Sequence, residues 1–369
     1  MKRSAEWLQI GAFLLFLVLG LVLLLVLPRR EFSQQENRYL AQPPRFRFSD
    51  LVSGSFTQGV EDCITDQFPL RDGWISLKSR TERALGKTEN NNVFFGKRDT
   101  LITRFSPPEE SAVSGAVRAV NALAEGTEAR VFLALIPSSA AVWADRLPAN
   151  ADTADQAALI RRIYGETKAV TADILAALLE HREEDIYYRT DHHWTTLGAY
   201  YGYAATARAL GLTPAEQSAF RPETVSEDFY GTVYSSSGVR WVKPDRMERW
   251  VEAEGVRVYR EDAEEPSPVY AEEKLLVKDK YAYFFGGNTP RMVIDTGSGG
   301  GKLLVLRDSY SDCELPFFFA HYGEIHVLDL RYFRQSVRAY AEENGIDDIL
   351  VNYSLSTFLT DPSVFLLGT

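Results

Sequence analysis

Short apolar runs that alternate with helical stretches constrain this chain of 369 residues more than any other feature. Residues 130–136, 302–306, 324–328 and 349–353 are dominated by Val, Leu, Ile and Phe. Such continuous runs mark parallel strands covered on both faces, because a half-exposed strand alternates apolar and polar residues. Between and around them, 111–124, 168–180, 313–321 and 332–344 carry helical spacing. This alternation predicts an α/β fold, a parallel sheet with helices on both faces. A further strand is expected at 185–189, and a hairpin around a polar turn at 92–102. Thr195 or Thr196 is placed to cap a helix running to about Leu210, with Gly211 as its stop. In parallel sheets sites form beyond the carboxyl ends of strands. The expected strands at 185–189 and 302–306 lead directly into Asp191 and Ser309.

Asp191-His192-His193-Trp194 holds two of only five histidines. In an extended segment alternate side chains share a face, which turns Asp191 and His193 the same way and His192 the other. A carboxylate beside an imidazole fixes its tautomer and stabilises its protonated form, the orienting half of a nucleophilic triad. Ser309, in Arg307-Asp308-Ser309-Tyr310, is the candidate nucleophile, with His193 as base and Asp191 as orienter. The residues leave other readings open. Asp308 or Ser309 also suits a helix cap, His192 could serve as base, and the adjacent histidines could contribute to a zinc site, although no third ligand stands at a recognised spacing. Trp194 offers a ring for a sugar or an anchor for the loop. In Phe285-Gly286-Gly287-Asn288 the glycines allow close backbone approach, and Asn288 has an amide able to donate to an oxyanion. Tyr310, beside the serine, is a further substrate or oxyanion candidate.

The tetrapeptide at 191–194 and the Asp308-Ser309-Tyr310 block resemble the DHHW protein family, similar to the SGNH-hydrolase-like alginate O-acetyltransferases of bacterial envelopes. The resemblance covers most of the chain after about Glu31. It implies an SGNH-like sheet with permuted block order, the Asp-x-His block preceding the serine block. It also implies O-acetyl transfer, or acetyl-ester hydrolysis, on a cell-surface polysaccharide, with a membrane-bound O-acyltransferase as acetyl donor. Phe229-Tyr230-Gly231-Thr232 is similar to a segment near the active site in that group. The serine block reads Arg-Asp-Ser where SGNH esterases have Gly-Asp-Ser, and the last strand lacks a Gly-x-Asn. The alternative from another class is a non-catalytic polysaccharide-binding or scaffold protein of an envelope complex.

Residues 7–27 are uncharged and apolar, and at about 1.5 Å per residue they span the roughly 30 Å of a bilayer core. No small-residue cleavage site follows; Pro28-Arg29-Arg30 does. An uncleaved signal anchor is therefore the expectation, and the resemblance places the folded part outside. The expected divisions are 1–28 (tail and anchor), 29–90 (tether and N-terminal helices, parted at Pro69) and 91–369 (catalytic domain, with a β-rich insertion over about 222–296). A net charge of −11 argues against a nucleic-acid partner. No cofactor motif is present: the glycines at 297–301 lack a following Lys-Ser/Thr. Cys63 and Cys313 are the only cysteines, either bridged or free.

Overall fold

The computed structural model describes residues 2–369, in two compact units: 2–87 with 238–240, and 88–237 with 241–369. In the first, an apolar helix (Lys2–Val26) is followed by helices Phe48–Ser53, Ser55–Asp66 and Arg71–Ala84. Over Ala5–Val26 this helix has the length and composition to cross a membrane, and none of its apolar window is buried. Asp66 takes two guanidinium hydrogen bonds from Arg38 and the Ala41 amide, which hold its carboxyl below the usual range.

The second unit is built on a seven-stranded sheet: β1 (Arg130–Ile136), β2 (Val170–Ala172), β3 (Arg257–Arg260), β4 (Arg291–Asp295), β5 (Lys302–Arg307), β6 (Glu324–Leu328) and β7 (Asp348–Ser354). Its spatial order is β3-β4-β6-β5-β7-β1-β2. β6, β5, β7, β1 and β2 pair in parallel, while β4 runs antiparallel to both its neighbours. The sheet is therefore mixed, with a parallel core. Every residue of β7 is buried, so both of its faces are covered. Val305 on β5 stands beside Leu350 on β7, and Leu350 beside Phe132 on β1. Helix Glu110–Gly126 buries Val113, Ala116, Val117, Val120 and Leu123, an i, i+3, i+4, i+7 stripe against this core.

Several local expectations change. The stretch 168–180 splits into β2, which pairs Val170 and Thr171 with β1, and helix Ile174–Glu180, capped by Asp173. Helix Gln156–Glu166, unread in the sequence, precedes them. The 313–321 helix is two 3₁₀ turns, Ser309–Cys313 and Leu315–Phe318, the second with Pro316 in its first turn. The segment 332–344 becomes helical only from Val337, where Ser336 caps it. The β-rich stretch divides: Glu223–Phe229 pairs with Asp245–Arg249 as a bulged hairpin, but β3 and β4 belong to the main sheet. Residues 185–189 form no sheet strand. They make one bridge, Tyr187 to Trp194, closed by Tyr188 N–H to His193 O and Thr195 N–H to Ile186 O. Asp191 thus sits at the tip of a narrow loop instead of at a strand end.

That loop stands on helix Thr196–Ala209, which approaches it too closely for a side chain at Gly198 or Gly202. A Cβ on Gly198 would lie 2.1 Å from the Ile186 carbonyl oxygen, and one on Gly202 2.5 Å from the Trp194 ring. Gly198→Ala should therefore destabilise the fold by at least about 2 kcal/mol, since the obstacle is backbone. Urea unfolding of the variant beside the parent protein checks this.

Candidate active site

β5 ends at Arg307, and the next two residues have separate duties. Asp308 caps the 3₁₀ turn by accepting from Tyr310 N–H (3.1 Å). Its other oxygen accepts from the Ser354 amide (3.0 Å) at the end of neighbouring β7. The capping role open to either residue thus falls to Asp308, and the half-buried Ser309 keeps its hydroxyl for another partner. That partner is His193, whose Nε2 lies 2.8 Å from Ser309 Oγ. His193 Nδ1 is 2.6 Å from Asp191 Oδ1. A carboxylate only accepts, so Nδ1 carries the proton and Nε2 is free to accept from the serine hydroxyl.

Asp191 is buried, and its two oxygens accept from His193 N (3.0 Å), His193 Nδ1, Thr232 N (2.7 Å) and Thr232 Oγ1 (3.0 Å). Burial alone pushes a carboxyl up. Here the imidazoles of His192 and His193, with these hydrogen bonds, outweigh it and hold Asp191 far below the usual range. Gly231 lets the Thr232 backbone reach it: a Cβ there would fall 2.1 Å from Asp191 Oδ2. On the loop's other flank Asp245 accepts from Arg189 N (3.0 Å), Thr190 N (2.8 Å) and Thr190 Oγ1 (2.6 Å). Tyr281 stacks on the His193 ring, centroids 3.7 Å apart and planes 8° from parallel, and donates to Cys313 Sγ at 3.2 Å. Thr232, Asp245 and Tyr281 were not found from sequence. Only the Tyr230-Gly231-Thr232 string gave any signal.

The remaining candidates sort differently. His192 does not face away: the loop bends here, so period-two alternation does not apply. Its ring lies 3.8 Å from that of His193, and its Nδ1 3.5 Å from Asp191 Oδ1. Trp194 is fully buried and donates to the Tyr310 carbonyl (2.9 Å), which leaves no face for a sugar. Tyr310 is buried too, and its hydroxyl donates to the His192 carbonyl. Asn288 is exposed, its Oδ1 accepting from the buried Arg307 (3.2 Å), and no hydrogen bond joins it to Ser309 among the described residues. Phe285, Gly286 and Gly287 before it all have positive φ (56°, 70° and 103°). Asp191, His192 and His193 offer possible metal-ligand atoms within 4.8 Å of one another, but both ring nitrogens of His193 are already engaged, one of them by Ser309. A cation there would compete with those bonds. Both cysteines are free, Cys313 in the core. A cleft of about 1000 Å³ flanks the same loop, lined by Arg98, Tyr187, Thr196 and Glu248 among others, and includes none of Asp191, His193 and Ser309.

The mixed sheet with a parallel core and its covering helices define an SGNH-type α/β protein. Residues 94–283 match the family described as SGNH hydrolase-like domain, acetyltransferase AlgX, and the chain belongs to that family. A probable alginate O-acetylase AlgJ of Pseudomonas syringae pv. tomato is 23% identical over 187 residues, 47% of this chain and 46% of that protein. The chain thus spans about half the length of this relative. Among solved structures, a DHHW family protein from Eubacterium siraeum shares the fold with TM-score 0.66 and 24% identity, covering 75% of this chain and 95% of that one. PatB1 of Bacillus cereus, with a sulfonyl adduct, does so at 0.60 and 20%, covering 75% and 98%.

Two buried acids, Asp312 and Glu314, follow the serine in the chain. Burial pushes Asp312 up to about 6 against the pull of Arg307, and Glu314 up to about 8 despite a 2.6 Å hydrogen bond from Asn352 Nδ2. The folded protein thus holds a proton on Glu314 that the unfolded chain releases above about 4.5. This contribution to stability is complete below about pH 4.5 and is lost as pH rises towards 8. Glu314→Gln should shrink the drop in urea midpoint between about pH 5 and pH 8. An unchanged drop would place the titrating group elsewhere.

Proposed function

We propose that this chain is a membrane-anchored, extracytoplasmic serine acyltransferase that places acetyl groups on hydroxyls of a cell-surface polysaccharide. The observation that carries the reading is the unbroken chain Asp191–His193–Ser309, with contacts of 2.6 and 2.8 Å. In the first half-reaction Ser309 Oγ gives its proton to His193 Nε2 and attacks the carbonyl carbon of an acetyl ester. The donor alcohol leaves with that proton, and acetyl-Ser309 remains. In the second, a sugar hydroxyl gives its proton to Nε2, its oxygen bonds to the acetyl carbon, and Ser309 Oγ leaves and regains the proton. Asp191 holds the Nδ1 proton throughout and stabilises the imidazolium. Membership of an acetyltransferase family, and likeness to a probable alginate O-acetylase, support acetyl and polysaccharide as the groups handled. A membrane-bound O-acyltransferase is the proposed source of acetyl groups. If water replaces the sugar, the same residues make an acetylesterase; with no turnover, the chain is a glycan-binding scaffold.

Release of p-nitrophenol from p-nitrophenyl acetate by the full-length protein in detergent tests this. Ser309→Ala and His193→Ala should each lower turnover by roughly a thousandfold or more, and the double variant by little further, because triad members act as one unit. Ser309→Ala should still fold, since Asp308 and not Ser309 caps the turn. An active Ser309→Ala protein would end the covalent mechanism.

The anchor is tested separately. About twenty exposed apolar residues cannot remain in water, so the protein should stay in the membrane pellet after carbonate washing, with residues 7–27 intact by mass. A mature chain beginning beyond Leu27 would identify a cleaved signal.

A further inference from the structure

His192 sits inside the site without a part in the triad. Its Nδ1 lies 2.7 Å from Thr232 Oγ1, and that hydroxyl donates its own proton to Asp191 Oδ2 at 3.0 Å. Thr232 Oγ1 therefore accepts from His192, which puts the His192 proton on Nδ1. The second neighbour of Nδ1, Asp191 Oδ1 at 3.5 Å, also only accepts and requires the same tautomer. Nε2 is left with a bare lone pair, and among the described residues no protein group bonds it. About 40% of the His192 side chain is exposed, against 6% for His193.

Both rings present Nδ1 to the same carboxylate oxygen, and their planes are 37° apart. Their Nε2 edges thus turn away from Asp191 together, that of His193 onto Ser309, and the His192 ring is the more exposed of the two. Partial burial in the site, and then the neighbouring His193, lower His192 from its ordinary value. It stays neutral, and an acceptor, across the neutral range.

Resting on the acyl-transfer reading above, we infer that His192 Nε2 is the acceptor-binding group, taking a hydrogen bond from a sugar hydroxyl adjacent to the one that attacks. The attacking hydroxyl has a single proton, which goes to His193 Nε2 and cannot also serve His192. A second hydroxyl on the neighbouring carbon can. The acceptor class is therefore a pyranose with a free vicinal diol, held at two points. The order of steps is unchanged: the diol oxygen nearer Ser309 bonds to the acetyl carbon, the bond from that carbon to Ser309 Oγ breaks, and the hydroxyl proton passes through His193 Nε2 to Ser309 Oγ. His192 neither gains nor loses a proton.

The test uses full-length protein in detergent with p-nitrophenyl acetate as donor, and methyl α-mannopyranoside, methyl β-glucopyranoside or 1-propanol as acceptor. The p-nitrophenol burst reports acylation, and acetylated product reports transfer. In His192→Ala any change in the burst, which His192 reaches through Thr232 and Asp191, is divided out of the transfer. Transfer to the better pyranoside should fall about tenfold, the equivalent of one hydrogen bond, and transfer to 1-propanol should hardly change. His192→Gln, which restores an acceptor oxygen, should recover part of the loss and guards against misfolding of the alanine variant. Equal loss with pyranoside and propanol, no loss with either, or no parental preference for a pyranoside overturns the role of His192 while leaving the triad standing. A burst lost in both His192 variants also overturns it, by making His192 a positioning residue for acylation. Absence of any burst in the parent protein, or its survival in Ser309→Ala, overturns the acyl-transfer reading itself.

Discussion

Everything at this site hangs on one buried charge. Asp191 is 3% exposed and cannot be left unpaired there, because an isolated carboxylate in an apolar interior is costlier than the neutral acid. Its four hydrogen bonds come from just two residues, His193 and Thr232, which lie on different parts of the chain. Satisfying the charge therefore brings the 191–193 loop and the 231–232 turn together. The imidazole that faces Ser309 is fixed as a by-product of that pairing. Asp245 repeats the device on the other side, tying down Arg189 and Thr190. Burial raises Asp245 against the bonds it accepts, so it is less fully compensated than Asp191.

The tip of the loop is held electrostatically, but its root is held by packing. Trp194 is wholly buried, with its ring against Gly202 and its indole nitrogen on the Tyr310 carbonyl. Tyr310 answers with a hydrogen bond to the carbonyl of His192. The histidine loop and the serine turn are thus stapled through the residues next to the reactive ones. This gives Trp194 and Tyr310 a mechanical role in place of the substrate contacts expected of them. It also explains the tetrapeptide as a unit: the charge, its imidazole, the exposed neighbour and the anchor each need a fixed place in a four-residue span.

What could be read from the sequence follows the range of the interactions involved. β1, β5, β6 and β7 were legible because burial of both faces writes itself into consecutive residues. β2 was not, since Val170-Thr171 is short, at the sheet edge, and runs directly into a capped helix. The 185–189 segment looked like a strand for the right local reason, its Ile186-Tyr187-Tyr188 run, but those residues are buried by a loop folding back on itself. Asp191, His193 and Ser309 could be chosen as candidates from their chemistry. The partners that orient them could not, because Thr232, Asp245 and Tyr281 contact the loop from 40 or more positions away (232 − 191 = 41; 245 − 190 = 55; 281 − 193 = 88). The orientation of His192 is hidden for a related reason: side chains alternate only along extended chain, and His192 stands on a bend.

The reversed order of the two blocks costs the fold nothing, and the sheet shows why. Ser309 follows β5, a central strand flanked by β6 and β7 in parallel, and Asp308 is tied across to the end of β7 by the Ser354 amide. The frame that carries the serine is therefore β5 and β7, both late in the chain. The histidine arrives on a loop that belongs to no strand of that sheet, so nothing in strand order dictates whether it comes before or after. It needs only an anchor near the serine turn, and Trp194 with Tyr310 provides one. A loop free of the sheet also keeps one edge open to solvent, which a strand-borne histidine between covered faces would lack. That open edge is where His192 stands.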